Sequence, residues 1–147
     1  MEKGIIVHTI ITKHGELLII KRSKNNFFLS EEWDTPGGTL KDGENPIDGA
    51  IREVKEETGL NITNLVLFSF NSIVDKNKDK QFITLIFLAE CIGNSKKIIL
   101  NKKEHDDFRW INLNQTKNFK TVFWLSECLN TIREKKHPMI KIIGKKH

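Results

Sequence analysis

"GTLKDGENPIDGAIREVKEETGL", residues 38–60, is the stretch on which the reading of this chain turns. Asn45 can cap a helix, and Pro46 suits the first helical position. Gly59 stands where a helix ends on a left-handed residue. Between them Ile47, Ala50, Ile51 and Val54 recur at helical spacing and predict an apolar stripe. At about 100° per residue, Glu53, Glu56 and Glu57 fall on the opposite half. Gly49 falls with them, where a missing side chain leaves room for a ligand. Carboxylates three and four residues apart weaken a helix by roughly 0.2–0.5 kcal/mol per pair. Such a patch is either a solvated face with a small cost or the seat of a cation. Oxygen-rich clusters suit hard cations such as Mg²⁺ or Mn²⁺. Ions bridging carboxylates and a diphosphate can neutralise charge and activate water.

Outward from this helix the pattern changes to strands. Residues 5–12, rich in β-branched side chains, predict a strand, residues 13–16 a glycine-containing turn, and residues 17–22 the return strand. Residues 23–32 read as a loop that exposes Phe27 and Phe28. "WDTPGG" (residues 33–38) reads as a short strand stopped by Pro36, Gly37 and Gly38. Beyond the helix, residues 62–74 and 81–92 predict two longer strands joined by the polar hairpin loop "DKNKDK". Residues 107–113 hold a short strand. Val122, Leu125, Leu129 and Ile132 mark an amphipathic C-terminal helix. The order predicts a mixed α/β (α+β) fold, with helices packed on a mixed, largely antiparallel sheet.

The 147 residues suit a single domain over 1–147, with a basic tail from about residue 133. A net charge of +5 favours anionic partners such as nucleotides, polyphosphates or nucleic acid. No apolar run approaches the ~18–20 residues of a membrane-spanning helix, and the N-terminus lacks a signal-peptide layout. A cytoplasmic protein with no membrane partner is the expectation. Cys91 and Cys128 match no metal spacing and are expected to be buried, reduced thiols. Two phosphate- or metal-binding patterns fail. The loop from Asp75 begins like a calcium loop, but Lys80 replaces its glycine and Ile86 its glutamate. "GTLKDG" has the glycine spacing of a phosphate loop, but Glu44 follows where lysine is needed.

The 23 residues from Gly38 resemble the Nudix box. Gly38, Glu44, Arg52, Glu53, Val54, Glu56, Glu57, Gly59 and Leu60 match every specified position. The resemblance implies an α/β/α sandwich and metal-dependent hydrolysis of a nucleoside diphosphate linked to another group. It implies Glu53, Glu56 and Glu57 as ligands of Mg²⁺ or Mn²⁺, with the Gly38 carbonyl as a further contact. Arg52 would orient Glu53, and Glu44 would act in the site or brace its loop. "KKEHDDFRW" (residues 102–110) resembles the family's E-H-x-x-x-x-W segment. It makes Glu104 the candidate for an additional ligand or for the general base, in competition with Glu53; His105, Asp106 and Asp107 crowd it, and Trp110 is expected in the core.

Markers of particular substrate groups are missing: the extra coenzyme A motif, a proline some fifteen residues past the box, and a tyrosine nearby. What remains is similar to the MutT-type group, which cleaves nucleoside triphosphates, oxidised ones included, to monophosphate and pyrophosphate. Arg22, Phe28, Phe82 and Asn118 are the candidate substrate contacts. The alternatives are a catalytically idle domain that binds a nucleotide or RNA, and a hydrolase of another nucleotide conjugate or of capped RNA. Nucleic acid ranks behind a nucleotide as partner, and the chain is expected to be a monomer or homodimer.

Overall fold

A hairpin opens the chain. The computed structural model describes residues 1–134, and β1 (Glu2–Lys13) turns through His14 and Gly15, both at positive φ, into β2 (Glu16–Arg22). "WDTPGG" is two strands, not one. β3 (Trp33–Asp34) pairs with β2, and β4 (Gly37–Thr39) pairs with β1. Pro36 has no N–H to give the ladder, although its carbonyl accepts from the Thr9 N–H at 3.0 Å, and the two glycines sit inside β4.

Helix α1 (Pro46–Thr58) follows, then β5 (Asn61–Asp75), β6 (Lys80–Ile92) and β7 (His105–Ile111). A 3-10 helix (Leu113–Asn118), which the sequence pattern did not predict, leads to α2 (Phe123–Arg133). The seven strands form one sheet. β1 and β6 run parallel from Glu2↔Lys80 to Thr12↔Glu90, and every other strand pair is antiparallel. The expected mixed, largely antiparallel sheet is therefore present.

Alternation along the strands sorts the core onto two faces. On one, Ile10, Leu17, Ile19, Ile86 and Leu88 pack against Leu125, Cys128, Leu129 and Ile132 of α2. On the other, Ile11, Leu18, Ile20, Ala89 and Cys91 meet Val54 of α1, and Val7 and Phe87 meet Ala50. This is the helix–sheet–helix layering that the resemblance implied. Both cysteines are buried and unbridged.

Helix α1 begins and ends where its sequence predicts. The Asn45 side chain accepts from the Ile47 N–H at 2.9 Å, Pro46 is the first helical residue, and Gly59 closes the helix at φ 77°. Its buried face differs from the expected stripe. Ala50 and Val54 are buried, but Ile47 and Ile51 are 44% and 38% exposed. The face turned to the protein carries Gly49, Ala50, Val54, Glu57 and Thr58. The acids therefore do not all point away from the sheet. The helix is rolled so that Glu57 takes a core position one turn beyond Val54. Nor is Gly49 a ligand gap: a side chain there would meet Leu40 at 2.4 Å and Glu44 at 3.0 Å. Beyond residue 134, the basic tail lies outside the described residues.

Candidate active site

The face covered by α2 is not covered along its whole length. Ile6 and His8 continue the row of Ile10 on β1, and Thr84 and Phe82 continue the row of Ile86 on β6. α2 starts at Phe123, so these four residues floor an open cavity of about 900 Å³. Its walls are Trp124, the Phe28 loop, and the end of the β5–β6 hairpin, with Ile73, Lys76 and Lys78. Gly37, Gly38 and Glu57 close the end nearest α1, and Glu104 and His105 come from the start of β7.

Glu57 reaches this end from inside the protein. It is only 7% exposed, and its Oε2 accepts from the Gly37 N–H at 3.2 Å. Burial, reinforced by the charges of Glu53, Glu104 and Asp34, pushes its carboxyl up to about 9. Gly38 explains how Glu53 gets close: a Cβ there would lie 2.6 Å from all three carboxyl atoms of Glu53. Only a residue without a side chain lets that carboxylate lie against the β4 backbone.

Arg52 organises the remaining acids. Its Nε and Nη2 donate to the two oxygens of Glu44 at 2.8 and 2.9 Å, a bidentate pair. Its Nη1 donates to Glu53 at 2.8 Å and to Glu56 at 3.2 Å. The Arg52 hydrogen bond, helped by the Lys41 N–H, holds the Glu44 carboxyl at about 2. Glu44, chiefly, raises Arg52 above the ordinary arginine range. Glu44 thus braces Arg52 at the helix start, and Glu56, more than half exposed, stays at the edge of the cluster.

A second network lies deeper. Asp34 is fully buried and accepts from the Thr35 N–H at 2.7 Å, Trp124 Nε1 at 3.1 Å and Arg22 Nη1 at 3.3 Å. Arg22 Nε also donates to the Phe28 carbonyl at 3.1 Å, which ties the aromatic loop to the cavity wall. His8 lies with Nδ1 3.0 Å from the Thr35 carbonyl, and its ring tilts against Trp124 at 5.4 Å. Sequence reasoning missed His8, Asp34, Trp124, Lys76 and Lys78. A signal existed for His8: it is a polar residue in an inward-facing row of isoleucines.

Among the expected substrate contacts, Arg22, Phe28 and Phe82 line the cavity. Asn118 does not: it ends the 3-10 helix and is not among the lining residues. Trp110 is half-buried beside the α1-side core, with Nε1 bonded to the Ser95 carbonyl. Of the acids beside Glu104, Asp106 pairs with Lys21 and Asp107 with Arg109, away from the cavity.

Glu57, Glu104 and His105 bring one ligating atom each to within 4.8 Å of one another. His105 is buried, and neither ring nitrogen has a hydrogen-bond partner among the described residues. Burial pushes its imidazole down to about 4, so it is neutral at neutral pH. A buried carboxylate facing other carboxylates, beside an unsatisfied imidazole, fits a divalent cation.

The NUDIX domain model matches residues 2–131. The chain belongs to the Nudix family. A Nudix relative, the ADP-ribose pyrophosphatase of Methanocaldococcus jannaschii, is 32% identical over 113 residues, covering 77% of this chain and 66% of that protein, just under two thirds of its length. The nucleoside triphosphatase NudI of Escherichia fergusonii is 28% identical over 118 residues, covering 76% of this chain and 83% of that protein. The crystal structure of a MutT NUDIX hydrolase from Burkholderia pseudomallei matches with a TM-score of 0.76 over 88% of this chain and 98% of that one. At 19% identity that likeness concerns the Nudix fold.

Proposed function

We propose that this Nudix domain, a single unit over the chain, is a metal-dependent pyrophosphohydrolase that cleaves a nucleoside triphosphate to the monophosphate and pyrophosphate. The observation that carries this reading is the meeting of unlike groups in one cavity. Glu57 and Glu104 line it, with Glu53 against the Gly38 backbone, and Arg22, Phe28, Phe82, Lys76 and Lys78 line it as well. A nucleotide has the matching parts, an anionic phosphate chain and a flat aromatic base.

Glu53, Glu56, Glu57, Glu104 and the Gly38 carbonyl would hold Mg²⁺ or Mn²⁺, which when bound supplies charge neutralisation on the diphosphate and an acidified water. Arg52 keeps Glu53 and Glu56 close despite their like charge. The Gly37 N–H fixes the Glu57 carboxylate. Glu104, exposed on the cavity lining, also offers its second carboxylate oxygen as the base that takes the proton of the attacking water. Arg22 and the hairpin lysines meet the phosphate charge, while Phe28 and Phe82 flank the base. The deep Asp34 network holds Arg22 and Trp124 in place.

A nucleotide panel with Mg²⁺ and with Mn²⁺, followed by product identification, tests the reading. Pyrophosphate and a monophosphate from at least one triphosphate are expected; no turnover of any substrate refutes it. A second reading, cleavage of a nucleoside diphosphate sugar, is favoured by the name of the archaeal relative. Its products, a monophosphate and a sugar phosphate, separate the two.

A further inference from the structure

We propose that Glu57, Glu104 and His105 form a mixed carboxylate–imidazole seat that prefers Mn²⁺ to Mg²⁺. The inference deepens the metal-dependent reading above and rests on it.

His105 is the unusual member. It is 6% exposed, lines the cavity, and leaves both Nδ1 and Nε2 buried without a hydrogen-bond partner among the described residues. A buried imidazole normally finds at least one hydrogen bond, because an unpaired polar atom out of water is costly. The nearby acceptor, Asp34, is already engaged by Thr35, Trp124 and Arg22. The ring is thus left facing the two glutamates, with ligating atoms within 4.8 Å.

The backbone around it is built to hold that position. The N–H groups of both Glu104 and His105 donate to the Asn101 carbonyl, at 3.0 and 2.9 Å. The Glu104 carbonyl accepts from the Ser23 N–H and from Asn26 Nδ2, both at 2.9 Å. The register between β2 and β7 shifts at Lys21/Arg22, where Asp107 and then His105 are the successive partners. Such irregularities re-aim a side chain and are frequent beside active sites. Here the shift drops Asp106 from the ladder and turns His105 inward. On the helix side, Glu53 and Glu56 are engaged by Arg52, whereas Glu57 accepts from the Gly37 backbone N–H.

Two carboxylates alone are a donor set for Mg²⁺. Adding an imidazole shifts preference toward first-row transition ions. With ligating atoms within 4.8 Å of one another, the three side chains would close further on loading. The exposed Glu104 carboxylate, on its anchored backbone, has room to do so.

Pulsed EPR of the Mn²⁺-loaded full-length chain, with titration calorimetry of Mn²⁺ and Mg²⁺, tests the seat. Directly coordinated histidine nitrogen is expected in the wild-type spectrum and in His8→Gln, and is lost in His105→Gln. The Mn²⁺ affinity of His105→Gln should fall at least about 10-fold, the lower end of the loss when even a partner of a metal ligand is removed, with Mg²⁺ affinity unchanged. No nitrogen coupling in the wild type, or a coupling that persists in His105→Gln, overturns the proposal. If His105→Gln does not fold, Glu104→Gln decides: Mn²⁺ affinity equal to wild type also overturns it. Turnover without nitrogen coupling removes the seat and leaves the hydrolase standing. Nitrogen coupling without turnover of any nucleotide does the reverse.

Discussion

Glu57 is a carboxylate in a place that suits a methyl group. Its position one turn beyond Val54 on the buried face of α1 makes ionisation costly, and Glu53, Glu104 and Asp34 add to the cost. Between pH 4.5 and about 9 the metal-free native state keeps a proton that the unfolded chain has released. Its stabilising contribution is therefore complete below about pH 4.5 and is lost as pH rises toward 9. In chelator, the melting temperature should decline over that interval. Glu57→Gln should flatten the decline, and Mn²⁺ should reverse it at the alkaline end. A wild-type profile identical to that of the variant contradicts this account. In turnover, Glu57→Gln should lower kcat by about 10²–10³-fold, the range for removing one electrostatic contact to the transition state, with an unchanged circular dichroism spectrum.

Gly38 makes the complementary case, a residue defined by what it lacks. Gly38→Ala puts a methyl 2.6 Å from the Glu53 carboxyl, which must move. Activity should drop at least 10-fold, the lower end of the range for disturbing a metal-site partner, while thermal stability changes little. Equal activity in the two proteins argues against any need for Glu53 to lie on that backbone.

At the scale of elements, α1 was the most legible part of the chain. Asn45, Pro46 and Gly59 are local signals, and local signals are what a sequence carries best. Asn45→Ala should cost about 1 kcal/mol, as capping residues do, measured by urea denaturation; no change means the Ile47 N–H finds another acceptor. The face of the same helix was misread. Hydrophobic spacing assigns the core side to Ile47 and Ile51, but the helix rolls to bring Glu57 to the cavity, and the isoleucines move to the flank. A functional carboxylate in a core position breaks the pattern that periodicity relies on. The 3-10 helix was missed because its residues are polar, although Asn112 and Gln115 form a reciprocal cap that could have announced it.

At the scale of the whole molecule, the net charge of +5 and the cavity residues Arg22, Lys76 and Lys78 should draw in the proposed anionic substrate before it binds. Raising ionic strength from 0.01 to 0.15 M shortens the screening length from about 30 to about 8 Å. kcat/KM for a triphosphate should fall over that range while kcat stays level. A kcat/KM that does not respond to salt means that these cations play no part in capture. The residues of the acidic end could be named from the sequence because most lie in one segment of 23. The cavity floor could not, because β1 and β6 meet only through the topology. Nothing local to Ile6 or His8 points to Thr84 or Phe82.

That parallel pairing has a consequence for the making of the protein. Ile5 and its partner Ile83 are 78 residues apart. At synthesis rates of about 5–20 residues per second, β1 leaves the ribosome roughly 4–16 s before the strand that completes its long edge. During that interval an apolar strand stands open beside β2, and any nascent neighbour with a free edge can compete for it. Expression yield, rather than equilibrium stability, is where the burden of this topology should first be felt.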